Sequence, residues 1–300
     1  IIKGIKPDLV YLWSLRLVSL SPALAVQKLN IKKVFEIGDL WMKGYYHTSI
    51  FSKLKRGIKN FLPFMVGSLI DFSPAICVSK WIEKEMKKKY FAKETYVIPN
   101  GVKICEKNKK LLNEKIRYIF CGRIDYTKGL DLALKALSNL KDRGFDNFVF
   151  HIYGEGQDSY IDKCKKMTKA LNLTKEVKFC GKKDDMKKYY KHYDVLLMPT
   201  RMREPFGLVI IEAMRAGVVV IATNAYGPAE IIQDEKDGLL FKSEDVNDLT
   251  NTIQKLQKNT VLYNNLRDAA FLKVFEKFNL INVKQEVENI LINTAKKDAE

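Results

Sequence analysis

From residue 115 onward the apolar positions follow two periods. Continuous aliphatic and aromatic runs, "IRYIFCG", "FVFHIYGEG", "EVKFCG", "DVLLMPT", "VVVIATN" and "GLLF", predict strands, and runs this unbroken belong to strands buried on both faces. Between them lie segments whose apolar residues recur every three to four positions, which predicts helices. These are "KGLDLALKALSNLKDRG", closing on Gly144; "DSYIDKCKKMTKALNL", striped by Tyr160, Ile161, Cys164, Met167 and Leu171; "DMKKYYKHY"; residues 207 to 216; and "PAEIIQ". Strands that alternate with helices in this way predict a doubly wound α/β domain with a parallel sheet.

The first hundred residues follow the same grammar in incomplete form. "KPDLVYLWS", "KKVFEIGD", "SPAICVS" and "ETYVIPNG" predict strands, and "PALAVQKLN" and "SKWIEKEMKKKYF" predict helices. This is a second α/β domain whose opening strand and first crossover are expected to be missing. The polar, basic stretch "VKICEKNKK" marks the boundary, giving residues 1–105 for the partial N-terminal domain and 106–280 for the next. "LTNTIQKLQ" and the remainder predict helices, with Phe271, Val274, Phe275 and Phe278, then Val283, Val287, Ile290 and Leu291, as two amphipathic stripes.

The totals fit such a chain. Three hundred residues, 47% hydrophobic and 29% charged, suffice for real cores and for two domains rather than a disordered chain. Cys77, Cys105, Cys121, Cys164 and Cys180 form no Cys-x-x-Cys pair and no cluster with histidine, so neither a disulfide framework nor a zinc site is expected. The uncharged stretches "LVSLSPALAVQ" and "NFLPFMVGSLI" fall short of the roughly 18 apolar residues of a membrane span, and no signal peptide is evident. A net charge of +17 implies an anionic partner, whether membrane surface, nucleic acid or phosphorylated ligand, or else only solvated lysines.

The candidate chemistry lies in "REPFGLVIIEA". Ligands of open parallel sheets bind outside the carboxyl ends of the strands. "DVLLMPT" ends at Thr200, so the next loop holds Glu204 and a helix starts near Gly207. The amides of Gly207, Leu208 and Val209 would be unpaired donors suited to an anion, and Glu212 would stand roughly 7 Å further along the axis. A diphosphate held there would place a sugar by Glu204 and a ribose by Glu212. The other reading is a capping Glu204 and a Glu212 in a structural ion pair. "CGRIDYTKG" sets Arg123 and Lys128 at the same edge, where two cations could neutralise a diphosphate without a metal. Alternatively, Arg123 pairs with Asp125 and Lys128 is merely exposed. Gly154 and Gly156 in "YGEGQD", like Asn100 and Gly101 in "IPNGV", read more simply as turns.

In order along the chain, "IPNGV", "CGRIDYTKG", "IYGEGQ", "VKFCG", "YDVLLMPT", "REPFGLVIIEAMRAGVVVIATNAYGPAEII" and "DGLLF" resemble the retaining family-4 glycosyltransferases of the GT-B fold, most strongly over residues 97 to 245. The resemblance implies two Rossmann-like doubly wound parallel-sheet domains facing a cleft, with a final helix, within 281–300, crossing back to the first. It also implies sugar transfer from a UDP-, GDP- or ADP-linked co-substrate to a glycan or lipid-linked acceptor, with retained configuration and neither bound metal nor cofactor. By the same resemblance Arg123 and Lys128 hold the donor diphosphate and Glu204 faces the sugar. Phe206, Gly207 and Leu208 lie along sugar and phosphates, Glu212 binds the ribose, and the backbone near Lys183 meets the base.

The chain departs from that pattern where it starts, after the family's usual first strand and glycine-rich loop, and at Gly38, where many members carry a histidine beside Asp39; His47 is the nearby alternative. "FSKLKRGIKNFL" sets Lys53, Lys55, Arg56 and Lys59 among Phe51, Leu54, Ile58 and Phe61. It could lie on an anionic membrane or pack on its own domain. The expected setting is cytoplasmic, with peripheral attachment to the inner face of the membrane and no nucleic-acid partner. Competing readings are a non-catalytic nucleotide-sugar-binding subunit, a GT-B sugar-nucleotide epimerase and a phosphorylase, the last requiring a lysine-bound pyridoxal phosphate.

Overall fold

The computed structural model describes residues 2–15, 19–42, 69–104 and 114–297. His47, Cys105, the basic stretch 51–62 and most of the expected linker lie outside the described residues. The chain divides into two compact units, Ile1–Asn100 with Ile281–Glu300, and Gly101–Leu280.

The first unit holds a four-stranded sheet in chain order: β1 (Val10–Trp13), β2 (Lys33–Ile37), β3 (Ala75–Cys77) and β4 (Thr95–Val97). All neighbours are parallel. The short helix α1 (Ile2–Ile5), which the sequence reading did not anticipate, precedes it. Helix α2 (Ser21–Lys28) has proline in its first turn, where the missing N–H costs nothing. Helix α3 (Lys80–Tyr90) starts because the Ser79 side chain accepts the Ile82 amide, and it ends on Phe91 in a left-handed conformation. The last helix of the chain packs Val283, Val287, Ile290 and Leu291 with Val34 and Ile76 of this sheet and with Ile98, just past β4.

The second unit contains β5 (Ile116–Cys121), α4 (Leu130–Asp142), β6 (Phe148–Tyr153), α5 (Asp158–Ala170), β7 (Val177–Gly181), α6 (Lys187–Tyr190), β8 (Val195–Met198), α7 (Leu208–Arg215), β9 (Val219–Thr223), α8 (Tyr226–Ile231), β10 (Leu239–Phe241), α9 (Val246–Gln257) and α10 (Thr260–Lys277). Helix α11 (Leu280–Lys296) is the last helix, described with the first unit. The sheet order is β10-β9-β8-β5-β6-β7. Renumbered within the unit, this is the doubly wound order 3-2-1-4-5-6, whose switch point falls between β5 and β8. Strands β8 and β9 are buried at every position. Helix α4 buries Leu130, Ala133, Leu134, Ala136, Leu137 and Leu140 in the same core.

Two further elements differ from the sequence reading. The helix expected from Lys128 starts at Leu130, because the Asp125 carboxylate caps the Thr127 amide at 2.8 Å and winds Tyr126–Lys128 into a separate 3-10 turn. Phe275 does not share the apolar face of α10: Tyr263, Leu266, Ala270 and Val274 are buried at helical spacing, leaving Phe275 51% exposed.

Candidate functional site

The carboxyl ends of the second unit's strands are fastened to one another by glycines. A Cβ at Gly154 would lie 1.8 Å from the Gly122 carbonyl oxygen, and one at Gly156 would lie 1.9 Å from that of Ile124. The Ile124 amide donates to the Glu155 carbonyl at 2.8 Å. The glycines of "YGEGQ" therefore let the loop after β6 lie against the loop after β5, a close approach beyond the simple turn that the sequence suggested.

These two loops, with the one after β7, line a cavity of about 460 Å³. Arg123 and Lys183 both reach it, with Tyr153 and Met186. Arg123 is ion-paired with Asp125, the simpler of the two sequence readings, and its side chain remains 62% exposed. Lys183 stands over the Tyr189 ring at 5.9 Å. Glu155 and Lys182 pair at 2.8 Å on the same rim.

Glu212 lies close to that cavity. The Tyr190 hydroxyl donates to its Oε2 at 3.4 Å, and both groups act on the thiol of Cys121, a cavity-lining residue whose pKa burial raises, with the Tyr190 hydroxyl opposing and the Glu212 charge adding. Burial raises the Glu212 carboxyl pKa, opposed by the Lys187 charge and the Tyr190 hydroxyl. A carboxylate with a raised folded-state pKa gives full stability below its unfolded pKa and loses it as pH rises through the folded value. Glu212→Gln is therefore expected to melt higher than the parent at neutral pH, with the difference vanishing in acid below the ordinary glutamate range. Thermal melts of both proteins across pH check it.

At the switch point, Lys128 and Glu204 meet directly, Nζ to Oε2 at 2.6 Å, with side chains 21% and 14% exposed. Their loops are tied together by one carbonyl: Thr127 O accepts from the amides of Arg201 at 2.7 Å and Met202 at 3.1 Å and from Thr200 Oγ1 at 3.2 Å. On its other side the Glu204 carbonyl accepts the Gly227 amide at 2.9 Å. A Cβ at Gly227 would come within 2.6 Å of the Phe206 backbone.

Gly207, with φ +106, opens α7, and the first internal bond there runs from the Ile210 amide to the Gly207 carbonyl. The amides of Gly207, Leu208 and Val209 have no backbone acceptor among the described residues, the arrangement that suits an anion. Leu208 is 48% exposed. The Phe206 side chain is buried edge-on against Phe278 at 5.9 Å, so only its main chain is available to a ligand along this edge.

The structure thus brings Lys128 to Glu204 beside the start of α7, puts Arg123 and Lys183 on one cavity, and sets Glu212 one tyrosine away from it. Sequence reasoning missed Tyr153 and Tyr190, which look like ordinary core aromatics, and the pairing of Arg201 with Asp131 across 70 positions. Gly38 follows β2 in open space. Among the described residues, no group of three His, Cys, Asp or Glu side chains could hold a metal ion, and no helix is long and apolar enough to cross a membrane.

Strand order and edge define a doubly wound α/β protein with an anion-ready helix start at its switch point. The chain belongs to the glycosyl transferases group 1 family, whose sequence model matches residues 103–273. It is 28% identical over 174 residues to an uncharacterized glycosyltransferase of Methanocaldococcus jannaschii, an overlap of 57% of this chain and 43% of that one. It is 32% identical over 197 residues to a poly(ribitol-phosphate) alpha-N-acetylglucosaminyltransferase of Staphylococcus aureus, covering 65% and 39%. The matches therefore span about two fifths of the length of these curated relatives. In fold it is similar to Anabaena HepE solved in complex with UDP, with a TM-score of 0.80 and 19% identity, covering 97% of this chain and 80% of that one. The GT-B class with its two parallel-sheet domains is the fold so shared.

Proposed function

We propose that the protein is a retaining glycosyltransferase that moves a sugar from a nucleoside diphosphate to a hydroxyl of a glycan or lipid-linked acceptor without a metal ion. The observation that carries this reading is the Lys128–Glu204 contact beside the free amides of α7, at the switch point of the sheet. Here a cation and a helix start can take the diphosphate while an acid stands at its sugar end. In this reading the cavity takes the base, with the backbone near Lys183 meeting it, Glu212 accepts the ribose hydroxyls, and Arg123 and Lys128 turn to the phosphates.

The bond from the anomeric carbon to the diphosphate oxygen breaks, and its electron pair leaves with the diphosphate. The acceptor hydroxyl bonds to the same face of that carbon, and its proton passes to the leaving phosphate oxygen. Glu204 offsets the positive charge that develops at the anomeric carbon. That HepE, a protein of the same fold, binds UDP supports the nucleotide part of the reading. The reading also takes the protein as cytoplasmic and peripheral to an anionic membrane surface, which the net charge of +17 favours.

A thermal-shift panel of UDP, GDP, ADP and their sugars tests the donor site. One nucleotide, at 100 times its dissociation constant, is expected to add about 2.7 kcal/mol to the stability. A panel in which none moves the melting temperature overturns the donor-site reading.

A further inference from the structure

We infer that Arg201 is a positioning residue for sugar transfer, locking the loop that carries Glu204 onto the turn that carries Lys128. This rests on the proposed function for its activity readout, although the lock itself is a matter of geometry. Arg201 lies three residues before Glu204, and its side chain is only 9% exposed. Its Nη1 and Nη2 donate to the two oxygens of Asp131, at 2.7 and 2.8 Å. Nη1 also donates to the Tyr126 carbonyl at 2.9 Å, and the guanidinium lies over the Tyr126 ring, 4.2 Å from its centroid. Glu244 stands 3.6 Å from Nε.

Asp131 lies in the first turn of helix α4, so the fork reaches a helix of the core rather than another loop. Tyr160, from α5, donates its hydroxyl to Asp131 at 3.0 Å. Burial pushes the Asp131 carboxyl pKa up, yet the hydrogen bonds and charge of Arg201, with the Tyr160 hydroxyl, more than offset this and hold it below its ordinary value. Arg201 thus grips two successive carbonyls of the turn, that of Tyr126 through its side chain and that of Thr127 through its amide. Lys128 follows at once. Between Arg201 and Glu204 the chain is further fixed by the Glu204 amide donating to the Met202 carbonyl at 2.8 Å. The Lys128–Glu204 separation is therefore set by a planar fork on a buried carboxylate, a geometry that lysine, a single point charge, does not reproduce.

An arginine in this place could instead serve stability alone, and the two roles separate in a charge-free pair. Removing Arg201 by itself leaves Asp131 buried without its counter-charge, which can unfold the protein, whereas replacing both partners by apolar residues of similar volume need not. The experiment compares the parent protein, Arg201→Lys, and the double variant Arg201→Met with Asp131→Leu. The double variant is expected to melt close to the parent and to keep the nucleotide-induced shift. Hydrogen exchange of residues 200 to 206 should be at least about tenfold faster, because the loop opens locally once its fork is gone. Its turnover number should fall by about 10- to 100-fold with the donor KM within about threefold, since misplacement by about an ångström has that effect on rate. Arg201→Lys should share the loss in turnover.

Parent-like exchange in both variants overturns the lock, whatever the activity. Faster exchange with parent-like turnover overturns the positioning role. A parent protein that binds no nucleotide and transfers no sugar sinks the proposed function instead, and the exchange measurement still decides the lock.

Discussion

Glu204→Ala is expected to lower sugar transfer by about 10²- to 10³-fold, the usual consequence of removing one preorganised group aimed at charge that develops in the transition state. The same variant is expected to bind the bare nucleoside diphosphate as well as the parent or better. The sign follows from the pairing: in the free protein Lys128 is engaged by Glu204 at 2.6 Å, and a phosphate must compete for that ammonium. Deleting the carboxylate releases Lys128 to the phosphates, while the cavity behind Arg123 and Lys183 is untouched. Transfer should therefore fall while the thermal shift is kept or grows. A fall in both would mean that Glu204 only supports the fold, and a parent protein that binds nucleotide but never turns over a donor would favour the non-catalytic subunit. Lys128→Ala provides the complementary check, since it should weaken the diphosphate shift as well as transfer.

Why these two residues could be nominated, and their neighbours could not, follows from how information is carried along the chain. The parallel sheet was legible because β8 and β9 are short runs, buried throughout and apolar but for the closing Thr223. Once the strands are assigned, the carboxyl-edge rule alone brings Lys128 and Glu204, 76 positions apart, to one side of the sheet. Their direct contact was not legible, because it depends on three donors converging on the Thr127 carbonyl and on the fork of Arg201 to Asp131. The inward turn of Phe206 was hidden for a similar reason: "EPFGL" does not say which way its ring points, and Phe278, 72 positions later, decides it. Arg201 and Arg203 read alike in "TRMRE"; only the fold shows that one grips Asp131 and the other lies over Tyr226 at 5.7 Å. In the first unit the strands are three to five residues long, and β1 leaves Trp13 68% exposed, so the apolar runs there mark strands without marking which face is covered.

A large effect on stability is expected at Gly129, and a second glycine separates its two causes. Gly129 and Gly144, just before and just after helix α4, both have left-handed backbones, with φ of +71 and +85. A side chain at either position costs about 1–2 kcal/mol in conformational strain. Around Gly144 a Cβ would meet nothing within 4 Å, so Gly144→Ala should cost that amount and no more. A Cβ on Gly129 would lie 1.8 Å from the Pro199 carbonyl oxygen and 2.9 Å from its carbon. Because the obstacle is backbone, no rotamer change can relieve it; the 125–129 turn or the exit of β8 must move. Either movement disturbs the bonds to Thr127 O and draws Lys128 away from Glu204. Gly129→Ala is therefore expected to cost at least about 3 kcal/mol, in the range reserved for steric faults in a packed interior. For a unit of this size that is a drop of roughly 6–12 °C in melting temperature. Melting both variants side by side decides it: equal losses would mean that helix α4 does not begin against the Pro199 carbonyl, and the tie between the two loops would lose its anchor.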